Sequence, residues 1–462
     1  MEHSSEGSKG GDLETSGRLA FVNPPSPDGF VYIRDINRSG RRSRENTLWP
    51  QVSLAMMAGM FPEYDVRIYD CIAEKISYKQ ILEQLEEFKP DWVIVETVSS
   101  TLVHDLIVAH FAKSLGAKTV IISPHTEALK EETLKKFPSI DHIVDYEKFQ
   151  DASKPIKEPE SHLRELITGE VCNTQFEDMP IPRQDLLPIS KYRLPFIGNG
   201  YTFIITSRGC PYRCSYCRQG VTWKNRVRYR PVDLVIEEIK RYSLKNIAFH
   251  ADTATVNKGW IMEFCKKVPP GVRWVCNSRV DTVDPEMLKA MKSAGCWMIC
   301  FGQESGNDEV LKMNEKGGNA TVEQARKAFK WTKDAGIKIW FYAMLGLYGD
   351  TKKTMRQTID LTKELSPDIV NFAVSAPYPG TRWHQIATEK GFLIDHKWSD
   401  YDQNYSAIVD QPDCSHQDVK AYQRKGYLEW YLSWRGLRFL LHGLRPQYGS
   451  YFWQTIRDHL KG

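Results

Sequence analysis

Two blocks of this chain alternate short apolar runs with helical stretches, and that rhythm restricts the fold more than any other feature. In the first block the runs are residues 19–22, 66–69, 92–95 and 119–122, with a weaker fifth at 143–144. Ser77 and Gln80 form a capping box, and Ile81, Leu82, Leu85 and Phe88 follow at helical spacing. Gly116 stands where a helix over 103–115 needs a left-handed residue to stop it. Such alternation with short links gives a parallel, doubly wound α/β sheet of flavodoxin-like type, whose ligands sit beyond the carboxyl ends of the strands. Those ends are Asn23-Pro24-Pro25, Asp70, residues 97–101 and Ser123-Pro124-His125. No G-x-G-x-x-G follows the first run, which argues against a nicotinamide or flavin dinucleotide.

The second block carries six runs, at 202–206, 246–249, 273–276, 298–301, 338–344 and 369–374. Helices are expected over 232–242, 259–267, 285–294, 322–335 and 352–365, with Asp284 as a cap and Pro285 at the first helical position. Six βα units make three-quarters of an eightfold TIM-type barrel, whose reactive groups lie at the strand carboxyl ends. The chain therefore divides into a disordered tail (1–17), a doubly wound domain (18–149), a linker (150–195), a partial (βα)6 barrel (196–385) and an aromatic-rich helical cap (386–462). The linker mixes Lys, Glu and closely spaced Pro, and little regular structure is expected there.

Directly after the first barrel run comes Thr206-Ser-Arg-Gly-Cys-Pro-Tyr-Arg-Cys-Ser-Tyr-Cys217. C-x3-C-x2-C places three thiolates, Cys210, Cys214 and Cys217, on one short loop. A [4Fe–4S] cube has four irons, so three cysteines leave one iron open to a non-protein ligand. Structural zinc wants four ligands, usually as paired C-x2-C halves, and no fourth Cys or His stands nearby.

A formal charge of +4 is too balanced for nucleic acid as an obligatory partner. Ten cysteines in 462 residues are not a disulfide framework, and a low-potential cluster calls for a reducing compartment. The polar start has no apolar core of a signal peptide and no run approaches a membrane span, so a cytoplasmic protein is expected. Residues 208–230 hold six Arg and one Lys, which suits nucleic acid or, more simply, an anionic cluster. Between Gly426 and Leu444 aromatic and basic residues interleave as one or two amphipathic helices. They read as a cap on the barrel or as a surface touching a membrane or a large apolar substrate.

These pieces together resemble radical S-adenosylmethionine (radical SAM) enzymes of the subgroup with an N-terminal cobalamin-binding domain. The cysteine loop matches, with Tyr216 as the aromatic before the last cysteine. So do, in order, Asn23-Pro24-Pro25, Trp49-Pro50-Gln51 with Leu54, Asp70-Cys-Ile-Ala-Glu74, and Pro124-His125-Thr126. In the barrel the matches are Arg279-Val-Asp281, Met291 to Cys296, Phe301-Gly-Gln-Glu-Ser-Gly306 and Pro377 to Thr381. The resemblance implies that Cys210, Cys214 and Cys217 hold a [4Fe–4S] cluster whose open iron binds S-adenosylmethionine. Cleavage of that cofactor yields a 5′-deoxyadenosyl radical. It further implies that Glu304 holds the ribose or amino group and that Gly346 lets backbone approach the adenine. Arg279 is expected to pair with the methionine carboxylate or else to bridge to Asp281 or Asp284.

For cobalamin the implied contacts are Asn23, Trp49, Asp70, Ser99, Thr101 and His125. The domain lacks Asp-x-His-x-x-Gly, so no histidine is expected beneath the cobalt; His104 and His110 read as surface residues. The implied activity is modification of an unactivated carbon, by methyl transfer or by ring closure or rearrangement, with the first domain loaded or serving as an empty scaffold. An external donor of flavodoxin or ferredoxin type and a small organic or lipid-like substrate complete the expectation. A metal-bearing RNA-binding protein is the alternative of another class; it calls for a fourth ligand and a basic module that the sequence does not show.

Overall fold

A computed structural model describes residues 17–35, 41–43, 47–123, 130–144, 158–172, 174–194, 198–317 and 320–443. The first block folds into five parallel strands: β1 (Arg18–Asn23), β2 (Asp65–Asp70), β3 (Trp92–Glu96), β4 (Lys118–Ile122) and β5 (His142–Ile143). Their order is 2-1-3-4-5, so the winding reverses between β1 and β3 and opens a crevice at their carboxyl ends. Both faces of the sheet are covered, which is why residues 19–22 are apolar without alternation and wholly buried. Helix α1 (Val52–Gly59) is apolar all round and buried on every side. It is the wedge of a continuous core that runs from Phe21 through Leu54 to Phe203 and Met298 of the second block. On the other face lie α2 (Tyr78–Phe88), opened by the Ser77–Gln80 box, and α3 (Leu102–Ser114), stopped at Gly116. Residues 1–16 of the expected tail, His125 and residues 145–150 lie outside the described residues.

The linker is more ordered than its composition suggests. Helix α4 (Pro159–Thr168) follows Glu158, and three single 3-10 turns come after it. The expectation of little regular structure is corrected here. Pro159 is pre-set for a first helical turn, and Glu158, Glu160 and Leu163 are buried, so tertiary contacts rather than propensity hold the helix.

The second block forms β6 (Thr202–Ile205), β7 (Asn246–His250), β8 (Arg273–Ser278), β9 (Cys296–Glu304), β10 (Lys338–Leu345) and β11 (Ile369–Val374), paired in chain order and all parallel. Helices α5 (Val232–Arg241), α6 (Lys258–Lys267), α7 (Pro285–Ser293), α8 (Val322–Asp334) and α9 (Lys352–Leu365) connect them. An unclosed barrel leaves two edges with unpaired peptide groups. Glutamines cover both. Gln184 from the linker donates to the Phe203 carbonyl at 2.9 Å, and Gln423 donates to the Phe372 carbonyl at 2.7 Å. The Tyr427 hydroxyl accepts from the Phe372 amide. Gln423 and Tyr427 lie on α10 (His416–Tyr431), followed by α11 (Trp434–Gly443), so the aromatic region does cap the barrel. Among the described residues no helix is long and apolar enough to cross a membrane.

Candidate active site

The cysteine loop begins where β6 ends. Ser207–Arg208 pairs antiparallel with Arg228–Tyr229, and Gly209 turns the chain at φ +87°. A Cβ there would stand 1.8 Å from the Arg226 carbonyl oxygen, so only glycine fits. Midway, the Ser215 amide and hydroxyl both bond Asn314, and the Trp383 amide donates to the Ser215 carbonyl. The Cys217 amide donates to the Cys214 carbonyl, folding the last two cysteines into one turn.

Each thiol has its own neighbour. Cys210 Sγ lies 3.7 Å from the Thr253 hydroxyl, Cys214 Sγ lies 3.8 Å from the Lys316 carbonyl, and Cys217 faces a cavity. Burial pushes the Cys210 and Cys217 thiols up, and the charge of Cys214 adds to the rise at both. Bound cationic iron reverses that preference. Among the described residues no three His, Cys, Asp or Glu side chains converge as one metal ion would require. Thiolates spread over a loop suit a multi-iron cube, where each holds a different iron. The donor set fits a [4Fe–4S] cluster and does not fit structural zinc.

The cavity, of about 240 Å³, opens at the carboxyl ends of the barrel strands. Tyr216, Cys217, Glu304 and Tyr342 line it from the barrel, while Ile33 and Trp49 reach it from the first domain. Glu304 ends β9 beside a break in register with β10 and takes φ +72°, a left-handed conformation costly for a side chain with a Cβ. Its carboxylate folds back over Gly302 to meet Lys316 Nζ at 3.1 Å, both largely buried.

Of the two roles expected of Arg279, the bridge to Asp281 is the one formed. Its guanidinium binds both Asp281 oxygens (2.9 and 3.0 Å) and the carbonyls of Lys316 and Gly317, and lies 3.6 Å over the Tyr212 ring. It therefore braces the cysteine loop against the 316–317 turn. Gly346 likewise faces protein. A Cβ there would meet Val419 of α10 at 2.9 Å, and its amide donates to Asp350.

In the first domain the expected residues gather into one closed network. Asn23 donates to Asp70 at 2.7 Å, and Asp70 also accepts from the Tyr192 hydroxyl. Buried Arg34 enters the crevice between β1 and β3. It donates to Asn23, to the Pro24 and Pro25 carbonyls, to Thr101 and to both Asp105 oxygens. The Thr101 hydroxyl in turn donates to Asp105 at 2.6 Å. Asn23, Asp70 and Thr101 are thus hydrogen-bonded within the domain. Trp49 lies against Phe203 of the barrel, its indole donating to Asp35, which in turn meets His250 Nε2 at 2.6 Å. Leu54 is buried within α1. What stays unanswered at this edge is the strand-end turn that also holds buried Ser99. The Thr97 and Ser100 hydroxyl oxygens are buried without a hydrogen-bond partner. His104 and His110 are exposed on α3, as expected.

Lys316, Arg34 and Asp105 escaped the sequence reading. Asp105 left a signal, because it falls on the core face of α3 between Leu102 and Ala109, and a carboxylate there demands a cation. Lys316 left none, since Lys-Gly-Gly reads as a turn.

Residues 204–362 match the model of the Radical SAM superfamily. The chain is 29% identical over 441 residues to the uncharacterized methyltransferase PH0819 of Pyrococcus horikoshii, covering 90% of this chain and 94% of that protein. The fold is similar to that of the radical S-adenosylmethionine methyltransferase TsrM from Kitasatospora setae, at TM-score 0.65, 15% identity and 89% coverage of both chains. It is equally similar to the cobalamin-dependent S-adenosylmethionine radical enzyme OxsB, at TM-score 0.66 and 17% identity, covering 97% of this chain and 72% of that one.

Proposed function

The chain belongs to the radical SAM superfamily, and on that premise we propose that it is a cobalamin-binding radical SAM enzyme that methylates an unactivated carbon. The observation that carries this reading is the meeting of Cys217, Tyr216 and Glu304 around one cavity that the first domain roofs with Ile33 and Trp49. A reaction centre shared between the two domains is what transfer between two large cofactors needs. The donor set fits the cluster, and the buried, unanswered hydroxyls of Thr97 and Ser100 suit a cobalamin edge rich in amides. When bound, the cluster supplies the electron that splits S-adenosylmethionine into methionine and a 5′-deoxyadenosyl radical, and cobalamin supplies the methyl group.

In this reading Cys210, Cys214 and Cys217 hold three irons. Glu304 at the cavity wall, paired with Lys316 behind it, orients the charged amino-acid end of S-adenosylmethionine. Tyr216 packs between the Trp383 cluster and the Leu347 cluster and closes one side to water. Tyr342 and Trp49 give the substrate an apolar wall. The electron comes from an external flavodoxin- or ferredoxin-type donor, the substrate is a small organic or lipid-like molecule, and the setting is the reducing cytoplasm.

Anaerobic reconstitution tests it. Wild type is expected to bind four irons and four sulfides per chain and to cleave S-adenosylmethionine when reduced. Cys214→Ala is expected to lose both, while Cys265→Ala and Cys414→Ala keep them. Stoichiometric zinc in the wild type refutes the reading. Failure to retain added hydroxocobalamin after desalting refutes its cobalamin half alone. Nitrogen hyperfine splitting on bound Co(II) would overturn the expectation that water or nothing lies beneath the cobalt.

A further inference from the structure

A helix packed on a protein core ordinarily turns its polar side outward. Helix α11 does the reverse. Phe439 and Leu440 pack inward against the core that holds Trp430 and Tyr431. The opposite stripe is Trp434, Leu437 and Leu441, with Trp434 72% and Leu441 63% exposed. The outer face of α10 continues it, through Leu428 and a Leu432 that is 77% exposed. Scattered exposed leucines need no explanation, but a continuous Trp–Leu stripe across two helices does.

Cations border the stripe. Arg424, Lys425 and Arg438 stand exposed around the stripe, and none has a carboxylate partner among the described residues. Over the barrel helices some surface cations are paired, as Lys258 with Asp284 and Glu286, Arg326 with Glu364 and Lys330 with Asp334, while others such as Lys289 and Lys327 have no carboxylate partner among the described residues. Glu429, the acid nearest the stripe, already holds Arg356 and Lys363. The sequence beyond Gly443 keeps the same character, with Tyr448, Tyr451, Phe452 and Trp453 among Arg445, Arg457 and Lys461, against Asp458 alone.

We infer that this face docks on an anionic lipid bilayer. Leu432, Leu437 and Leu441 leave water for the acyl boundary, the Trp434 indole lies at headgroup level, and Arg424, Lys425 and Arg438 meet lipid phosphates. A second copy of the chain fits worse. A twofold contact would set the patch against itself and bring three unpaired cations against three.

Sedimentation of the full-length, cluster-loaded protein with phosphatidylcholine vesicles, with and without phosphatidylglycerol, tests the assignment. Wild type is expected to sediment with the anionic vesicles, to shift its tryptophan emission to the blue, and to be released by salt. Leu437→Gln with Leu441→Gln is expected to weaken binding about tenfold or more at an unchanged melting temperature. Lys425→Glu with Arg438→Glu is expected to abolish the preference for phosphatidylglycerol. Both variants lie outside the cavity and should cleave S-adenosylmethionine as wild type does. Three results would overturn the proposal. These are wild type left in the supernatant with both vesicles, a markedly lower melting temperature of the leucine variant, which marks a face covered by the chain itself, and a dimer in light scattering that the variants dissolve.

Discussion

The two parallel sheets of this protein present the same kind of edge and use it in opposite ways. At the carboxyl edge of the first, the crevice between β1 and β3 is filled by Arg34, whose donors all meet protein oxygens. At the carboxyl edge of the barrel the side chains stop short of one another and leave a cavity of about 240 Å³. There the chain also tolerates a left-handed Glu304 and a loop of half-buried thiols. Topology brings ligands to strand ends. What each edge offers a ligand differs: at the first, the Thr97 and Ser100 hydroxyls stay unanswered beside the closed Arg34 network, and at the barrel a cavity stands open.

If the closed edge is structural, breaking it should cost stability and little else. Arg34→Met leaves the Asp105 carboxylate buried without its cation, for a loss of about 3–5 kcal/mol in chemical denaturation. Arg34→Met with Asp105→Leu should recover most of that. Full stability in the single variant would show that the network is no keystone.

At the open edge, pH should separate strain from stability. Burial raises Asp350, which receives the Gly346 and Leu347 amides, from 3.8 to about 6. The folded chain then holds that proton more tightly than the unfolded one. Stability from this group is full below about pH 4 and declines as pH rises through about 6, by roughly 3 kcal/mol. Asp350→Asn should remove that decline from a series of melting curves. An unchanged pH profile would mean the carboxyl is ionised without penalty.

Glu304→Gln distinguishes a cofactor contact from a scaffold. Losing one charge-assisted bond should weaken S-adenosylmethionine binding by about 1.5–3 kcal/mol, roughly ten- to hundredfold, at constant iron content and melting temperature. A lower melting temperature with unaltered affinity would move Glu304 to the structural side of the comparison.

The smallest effect lies where the cap meets α9. Arg356, helped by Lys363, holds Glu429 down from 4.5 to about 2. Its contribution is present above about pH 4.5 and fades as pH falls towards 2. Because the pair is partly exposed it amounts to less than about 1 kcal/mol. Glu429→Gln should lower the melting temperature slightly at pH 7, and not at all in high salt.

The parts of the fold legible in sequence were those set by local periodicity. The helix expected over 352–365 forms as Lys352–Leu365, and the six barrel runs appear as strands within a few residues of their expected limits. The cysteine loop was legible because its ligands are neighbours in the chain. Arg34 and Asp105 are 71 residues apart, and Cys214 and Lys316 are 102 apart. No local pattern joins such pairs, so the closure of the first edge and the company of Cys214 emerged only with the tertiary fold. For the same reason Arg279 looked free to bind a ligand. Its two-residue reach to Asp281 was one of the options the sequence left open, but its bonds to the 316–317 turn were not visible there.

The linker helix α4 carries a further consequence. Glu158 and Glu160 reach from its start to Arg208, two residues before Cys210, and Glu158 also meets Arg228 across the hairpin. Phe176 and Trp223 bracket both guanidinium groups, and the whole cluster is largely buried. A barrel excised at residue 196 would keep the three loop cysteines yet strand two cations beneath them. The barrel is thus not a portable module: the linker and the cluster loop form one structural unit.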